Sequence, residues 1–401
     1  MRYGLQYLLY AMIAALTFGC KKPYLPPAVA GKVNYLVVEG IVNAGPDSTF
    51  IKLSRTVNDT GRVKASPEIN ALVAVESDQN VSYPLKQLGN GNYGSAGLNL
   101  DNSRKYRIAI KTSNNAQYYS DYMAVLNSPP IDSINYDTKG TVQGPGLNIY
   151  VNTHDASGKV VYYRWDYQET WIINSHYPSF FKSNGDTVLG RNLLTDNITD
   201  CWQSDTSANI VLALSAKLSQ DVISSQNIVS YASTSEKLGD EYSILVKQYA
   251  LTPQAYTFYT NLKKNTEQLG SIFDAEPSEI PGNMHSATNP SEPVIGYISV
   301  GSTSSLRIFI SNRQLPQWAK DTSFYAGCHL EFDLPRFPCC YYSLGQVDQY
   351  INYNKGHDAD PLIPINSIGR PGQPPIGYTA STRRCVDCTV RGTNKRPAFW
   401  R

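Results

Sequence analysis

VVYYRWDYQETW, from Val160 to Trp171, alternates along its whole length. Val161, Tyr163, Trp165, Tyr167 and Trp171 share one parity, whereas Tyr162, Arg164, Asp166 and Gln168 share the other. A period of two marks a strand with one buried face. The inner face of this strand is therefore aromatic, and packing is its ordinary role. If that face were open, Tyr163, Trp165, Tyr167 and Trp171 would instead form a platform for a ligand.

Working outward from this strand, the same pattern recurs. On the N-terminal side, YLVVEGIV, FIKLSRT, NALVAVES, VSYPLKQL, KYRIAIKT and YYSDYMAV are short apolar alternations, with Gly89-Asn-Gly-Asn92 as a hairpin turn. Such spacing predicts a sandwich of the immunoglobulin or transthyretin-like kind over 33–128. NSPPIDSI (127–134) closes it, since Pro129 and Pro130 cannot donate to a ladder. A second strand-rich, fibronectin-like domain is expected over 129–327. Its polar stretch 175–235 reads as a long inserted excursion.

One amphipathic helix is predicted over 253–269. Thr252 caps it, Pro253 opens it, and Ala255, Phe258, Tyr259, Leu262, Thr266 and Leu269 follow at helical spacing up to Gly270. Phe258, Leu262 and Leu269 should face the sheet. VIGYISVG and SLRIFISN then return to strand within the second domain. The fold class is thus mainly β, two sandwiches and one helix, ending in a Cys-rich segment over 328–401.

Composition agrees with this class. The 401 residues carry 35 basic and 33 acidic side chains, a net charge of +2, so no global field would draw in nucleic acid. The 29 Tyr, 28 Gly and 24 Pro favour strands and turns. At the N-terminus Arg2 precedes an apolar run from Leu8 to Phe18, too short to span a bilayer, and Gly19-Cys20 follow. This is the layout of a signal peptide over 1–19 with lipidation of Cys20. The proline-rich stretch 20–32 would then be an extended tether to the outer membrane, on either face.

The remaining cysteines are Cys201, Cys328, Cys339, Cys340, Cys385 and Cys388. An even six in an exported chain reads first as three disulfides. Metal and redox roles stand as alternatives for Cys385-Val-Asp-Cys388, although that stretch reads as strand and turn rather than the helix N-terminus a reactive thiolate needs. The expected pairing joins Cys385 and Cys388 to the 328–340 segment, with Cys201 reaching a remaining cysteine there. Phe399-Trp400 reads as a hydrophobic plug for the tail. Its basic residues read as a solvated face, as donors to carbonyls, or as an anion site.

Chemistry is sparse. None of the five histidines lies in a metal-binding spacing, and the chain has no nucleophile elbow, phosphate loop or dinucleotide fingerprint. Asn352, Asn354, Asp358 and Asp360 alternate around Gly356 as oxygen ligands for calcium do, without the acid-rich spacing of a true calcium loop. The expectation is no catalytic residue and no cofactor beyond the lipid. The rival is an extracytoplasmic hydrolase, a glycosidase or peptidase, with carboxyls brought about 5 to 9.5 Å apart by folding. A structural or adhesive surface protein is the third reading.

LVVEGIV (36–42), IKLSRT (51–56), NLKKNTEQLGSIFDAEPSEIPGNMH (261–285), EPVIGYISV (292–300) and CVDCTVRGTNKRPAFW (385–400) occur in an order that resembles a family of Bacteroidota lipoproteins, domain of unknown function 4249. The resemblance implies an outer-membrane lipoprotein, encoded beside and working with a TonB-dependent receptor, and names no substrate; a glycan or a peptide is the ligand expected for such a capture role. It supplies no catalytic or binding residue.

Overall fold

The computed structural model describes residues 34–59, 62–183, 188–215, 222–267, 282–319, 322–332, 362–375 and 377–401. The signal segment, Cys20 and its tether, Cys339, Cys340, Leu269 and the candidate calcium ligands Asn352, Asn354, Asp358 and Asp360 lie outside the described residues.

Two layers enclose the first core. In one, strand Leu36–Asn43 pairs antiparallel with Thr49–Asp59. In the other, Leu72–Ser77 lies between Ser82–Gly89 and Lys105–Lys111. Strand Ser82–Gly89 passes from one layer to the other, pairing through Tyr83 and Leu85 on one side and through Lys86 and Gln87 with Asn92–Ser95 on the other. Its hairpin turn puts Asn90 and Gly91 at φ 50° and 75°, the left-handed pair that a two-residue turn needs. Leu36, Val38, Ile51, Leu53, Val75 and Ile108 alternate inward and are almost fully buried.

The return of the chain to this sandwich corrects the predicted boundary. Residues 284–301, assigned from sequence to the second domain, pair with the first: Met284–Ser286 joins Gln117–Ser120, and Val294–Ile295 and Ser299–Gly301 run parallel to Leu36–Asn43. Local periodicity identifies strands but says nothing of which distant strand they meet. Polar ties hold the returning segment. Buried Asn283 exchanges hydrogen bonds with the Ile298 backbone at 2.8 and 2.9 Å, and Arg55 bridges Glu68 at 2.7 Å and Glu292 at 3.3 Å. Gly296 sits at φ 144°, where a Cβ would meet the Val38 carbonyl oxygen at 2.1 Å. Gly296→Ala is expected to cost more than about 1 kcal/mol of stability in chemical denaturation.

In the second sandwich, Ile131–Asp137, Gly146–His154 and Val222–Ala232 form a three-stranded layer. The facing layer runs Asp200–Thr206, Tyr162–Asn174, Glu241–Leu251, Ser304–Ser311, with Val211–Leu214 also paired to Tyr162–Asn174. Much of the polar stretch 175–235 is therefore sheet rather than excursion; its strands carry enough Ser, Thr and Asn to hide their period. Gln248, fully buried, accepts from Trp165 Nε1 at 2.9 Å and donates to the Pro129 carbonyl at 2.8 Å and to Thr153 at 3.0 Å. It ties both layers to the connection between the sandwiches.

Helix Pro253–Glu267 stands where expected. Thr252 Oγ1 accepts from the Ala255 N–H at 3.2 Å, and Ala255 and Phe258 are buried. Leu262 is only half-buried.

The C-terminal segment builds a small sheet from Glu331–Phe332, Gly377–Thr382 and Leu362–Ile368. Among the described residues, Ile365, Cys385 and Val386 of this segment pack with Ile198 of the second sandwich in a small buried cluster. Cys328 bonds to Cys385, within the expected pairing, but Cys388 bonds to Cys201 and not to the 328–340 segment. The reason is local. Trp202 and Thr393 form a backbone bridge, and the Cys388 N–H reaches the Ile198 carbonyl at 2.8 Å, which brings the tail against strand Asp200–Thr206. Arg383–Val386 is a helical turn and Cys388–Val390 a 3-10 turn, where the sequence reads as strand and turn. Trp400 is buried among Trp202, Phe309 and Phe399, at ring distances of 6.3, 5.5 and 6.2 Å, as a plug should be.

Candidate functional site

The aromatic platform is not available to a ligand. Tyr163 and Trp165 are 0% exposed, Tyr167 8% and Trp171 5%, packed against Leu147, Ile149 and Val151 of the facing layer. A whole aromatic face was needed to fill the space between two layers about 10 Å apart.

The opposite parity of the same strand carries the site. Arg164, Asp166 and Gln168 line a groove of about 490 Å³ between the two sandwiches. Across the ladder Arg164 faces Tyr249, Asp166 faces Lys247 and Gln168 faces Leu245. The second wall is the edge of the first sandwich, Val37 to Gly40 with Ile295 to Tyr297, and the helix contributes Phe258, Tyr259 and Leu262. Loop residues Thr206 to Ile210 form a rim held by the helix: Lys263 donates to the Ile210 carbonyl at 2.7 Å and Glu267 accepts from its N–H at 2.6 Å.

Arg164 is the fixed charge of this groove. Its guanidinium lies between the rings of Tyr249 and Tyr259, at 4.6 and 4.4 Å from their centroids, and donates to Asp166 at 2.8 Å. Burial works against its charge, but Tyr259 and Asp166 outweigh it and hold the group above its ordinary value. The Arg164 Nε is buried without a hydrogen-bond partner. Such an arrangement is preorganised: two planar rings and one carboxylate fix a side chain that would otherwise be mobile.

A second buried cluster lies deeper. Glu169, only 2% exposed, accepts from Tyr242 at 2.8 Å and also contacts the Tyr231 hydroxyl and Lys237. The neighbouring Glu236 pairs with Arg391 of the tail. This chain of contacts ties core to tail, and it explains part of the basic C-terminus. Arg383 is paired with Asp387 at 3.0 Å, Arg384 donates to the Phe324 carbonyl, and Arg396 donates to the Trp400 carbonyl at 3.3 Å.

Tyr231, Tyr242, Tyr249 and Tyr259 are all held above the ordinary tyrosine value of 10.0, with burial the largest cause in each. The unfolded chain therefore ionises these phenols first as pH rises. Their contribution is complete below about pH 10 and is lost above it. Melting temperature followed from pH 8 to 11.5 should fall steeply beyond about pH 10, and Tyr242→Phe should flatten that fall.

Among the described residues, no group of three or more His, Cys, Asp or Glu is placed to hold a metal ion. In the sequence, Arg164, Asp166 and Gln168 share the parity opposite the aromatic inner face. The parity was visible; Tyr249 of the adjacent strand, Tyr259 of the helix and Tyr297 of the returning segment come from distant parts of the chain.

Fold and groove together define a mainly β protein of two sandwiches with a roofed groove at their junction. The family described as domain of unknown function DUF4249 matches residues 21–307, and the chain belongs to that family. The match covers the first sandwich, the second up to the middle of strand Ser304–Ser311, and every groove residue named above; the disulfide-linked tail lies beyond it. No curated protein matches the chain.

Proposed function

We propose that this protein is a non-catalytic outer-membrane lipoprotein that captures a ligand for a TonB-dependent transporter. Lipid on Cys20 holds it at the membrane, the groove receives the ligand, and the transporter supplies the energy. The observation that carries the capture step is the roofed groove between the sandwiches, where Arg164 is clamped between Tyr249 and Tyr259. Junctions of this kind are where ligand sites concentrate, combining apolar walls with a few fixed polar groups. The anchor is supported by the signal layout ending at Gly19-Cys20, and the transporter by the Bacteroidota lipoproteins that the chain resembles.

Purification of the full-length protein from membranes solubilised in several mild detergents tests the partnership. A TonB-dependent transporter should accompany it in stoichiometric amount. Recovery of the lipoprotein alone in every detergent would count against the proposal.

A further inference from the structure

The groove continues beyond the helix. Gln168 and Thr206 line both it and a shallower pocket farther along the sheet, bounded by Thr170, Ser204, Arg307 and Phe399. The two form one trough over the outer face of the sheet. Its charges divide unequally. Asp166 is paired with Arg164 at 2.8 Å, Glu39 with Lys52 at 3.2 Å, and Glu169 and its register partner Asp205 both lean to Lys237. Lys247 and Arg307, by contrast, have no carboxylate partner among the described residues. Arg307 donates to Ser243 Oγ at 2.9 Å and stacks on Phe399 at 3.7 Å, and burial without a counter-charge lowers its pKa.

The register fixes their relation. Lys247 faces Ser305 and Leu245 faces Arg307, so the two cations stand on one face, one strand and two residues apart. Their Cα atoms are about 8 Å apart on standard strand spacings. A row of two cations outside any ion pair among the described residues, bordered by hydroxyls and an amide, complements an extended ligand with regularly repeated negative charge. Tyr162–Asn174 and Glu241–Leu251 are paired on both sides, whereas Ser304–Ser311, which carries Arg307, ends the order of this sheet. Lys247 and Arg307 stand on the face of the sheet rather than along that edge, so a ligand that pairs with both binds face-on through side chains and not as an added strand. Face-on contact suits sugar hydroxyls and carboxylates.

We propose that the trough from Lys247 to Arg307 binds an acidic oligosaccharide built of uronic-acid units, successive carboxylates pairing with these two side chains. This rests on the capture reading and names the ligand class for it.

Titration calorimetry of the mature lipoprotein in detergent, with oligogalacturonate as probe, tests the assignment. Carboxyl-reduced oligogalacturonate and a poly-glutamate peptide of equal charge serve as comparisons. Oligogalacturonate should bind, more weakly as salt rises, and Lys247→Ala and Arg307→Ala should each weaken it about tenfold or more, Lys247→Ala with melting temperature unchanged and Arg307→Ala with the fold retained despite the loss of its Ser243 hydrogen bond. Lys86→Ala, an exposed lysine of the first sandwich, should not. Equal binding of the reduced oligosaccharide, or indifference to both substitutions, overturns the acidic class while leaving capture in the groove standing. Tighter binding of poly-glutamate overturns it in favour of a peptide. Absence of binding by every probe overturns it too, and co-purification with a transporter then decides separately whether the capture reading survives.

Discussion

Lys237→Met lowers unfolding free energy by about 3–5 kcal/mol, because it leaves the Glu169 carboxylate buried without its cation. Glu169 is 2% exposed, and Lys237 is its only cationic partner among the described residues. The lysine also lies over the rings of Trp171 and Tyr231, at 4.7 and 4.9 Å, so its stem packs as well as its charge pairs. Glu169→Leu removes the carboxylate but leaves the Tyr231 and Tyr242 hydroxyls without their acceptor. The double variant should therefore lose less than the two single losses together, by about 0.5–3 kcal/mol. Urea denaturation of the four proteins measures this coupling. A value of zero would mean that Glu169 and Lys237 are neighbours without a shared role.

Cys201→Ala with Cys388→Ala is expected to cost about 2–5 kcal/mol. The bond joins residues 187 apart and closes the tail onto the edge of the second sandwich, beside the Trp202–Thr393 bridge and the Arg391–Glu236 pair. Removing it should also expose the tail to limited proteolysis, through loss of the Trp202–Thr393 bridge and of the contacts around Trp400. Peptide mass mapping of unreduced wild-type protein should recover the Cys201–Cys388 and Cys328–Cys385 links. Free thiols at Cys385 and Cys388 would contradict the stapled tail.

The strands with alternating apolar residues, and their faces, were legible in the sequence because alternation is a local property, whereas the polar strands within 175–235 were not. VVYYRWDYQETW announced one buried aromatic face, and the structure buries it. The helix was legible for the same reason, from Thr252 and Pro253 onward. What the sequence hid was pairing over distance. Nothing in VIGYISVG says that Val294–Ile295 must lie beside Leu36–Asn43, nor that Cys388 should meet Cys201. The site was misplaced for the same reason. A large aromatic face attracts attention as a platform, but the two sheets needed all of it for packing. The polar face became a groove only when the returning segment 295–297 and the helix closed over it. Arg164 could be read as outward-facing, whereas its clamp by Tyr249 and Tyr259 depends on two segments about 90 residues farther on. The tail's Cys-x-x-Cys lost its redox reading once each cysteine had a different partner.

Ligand capture in the groove is the central claim, and nutrient uptake tests it most directly. Thr206 is an exposed rim residue, and Thr206→Trp fills the groove mouth without touching the core. In cells whose only copy of the gene carries this substitution, with protein level and melting temperature unchanged, uptake by the co-purifying transporter should fall to that of the deletion strain. Uptake equal to wild type would contradict the account.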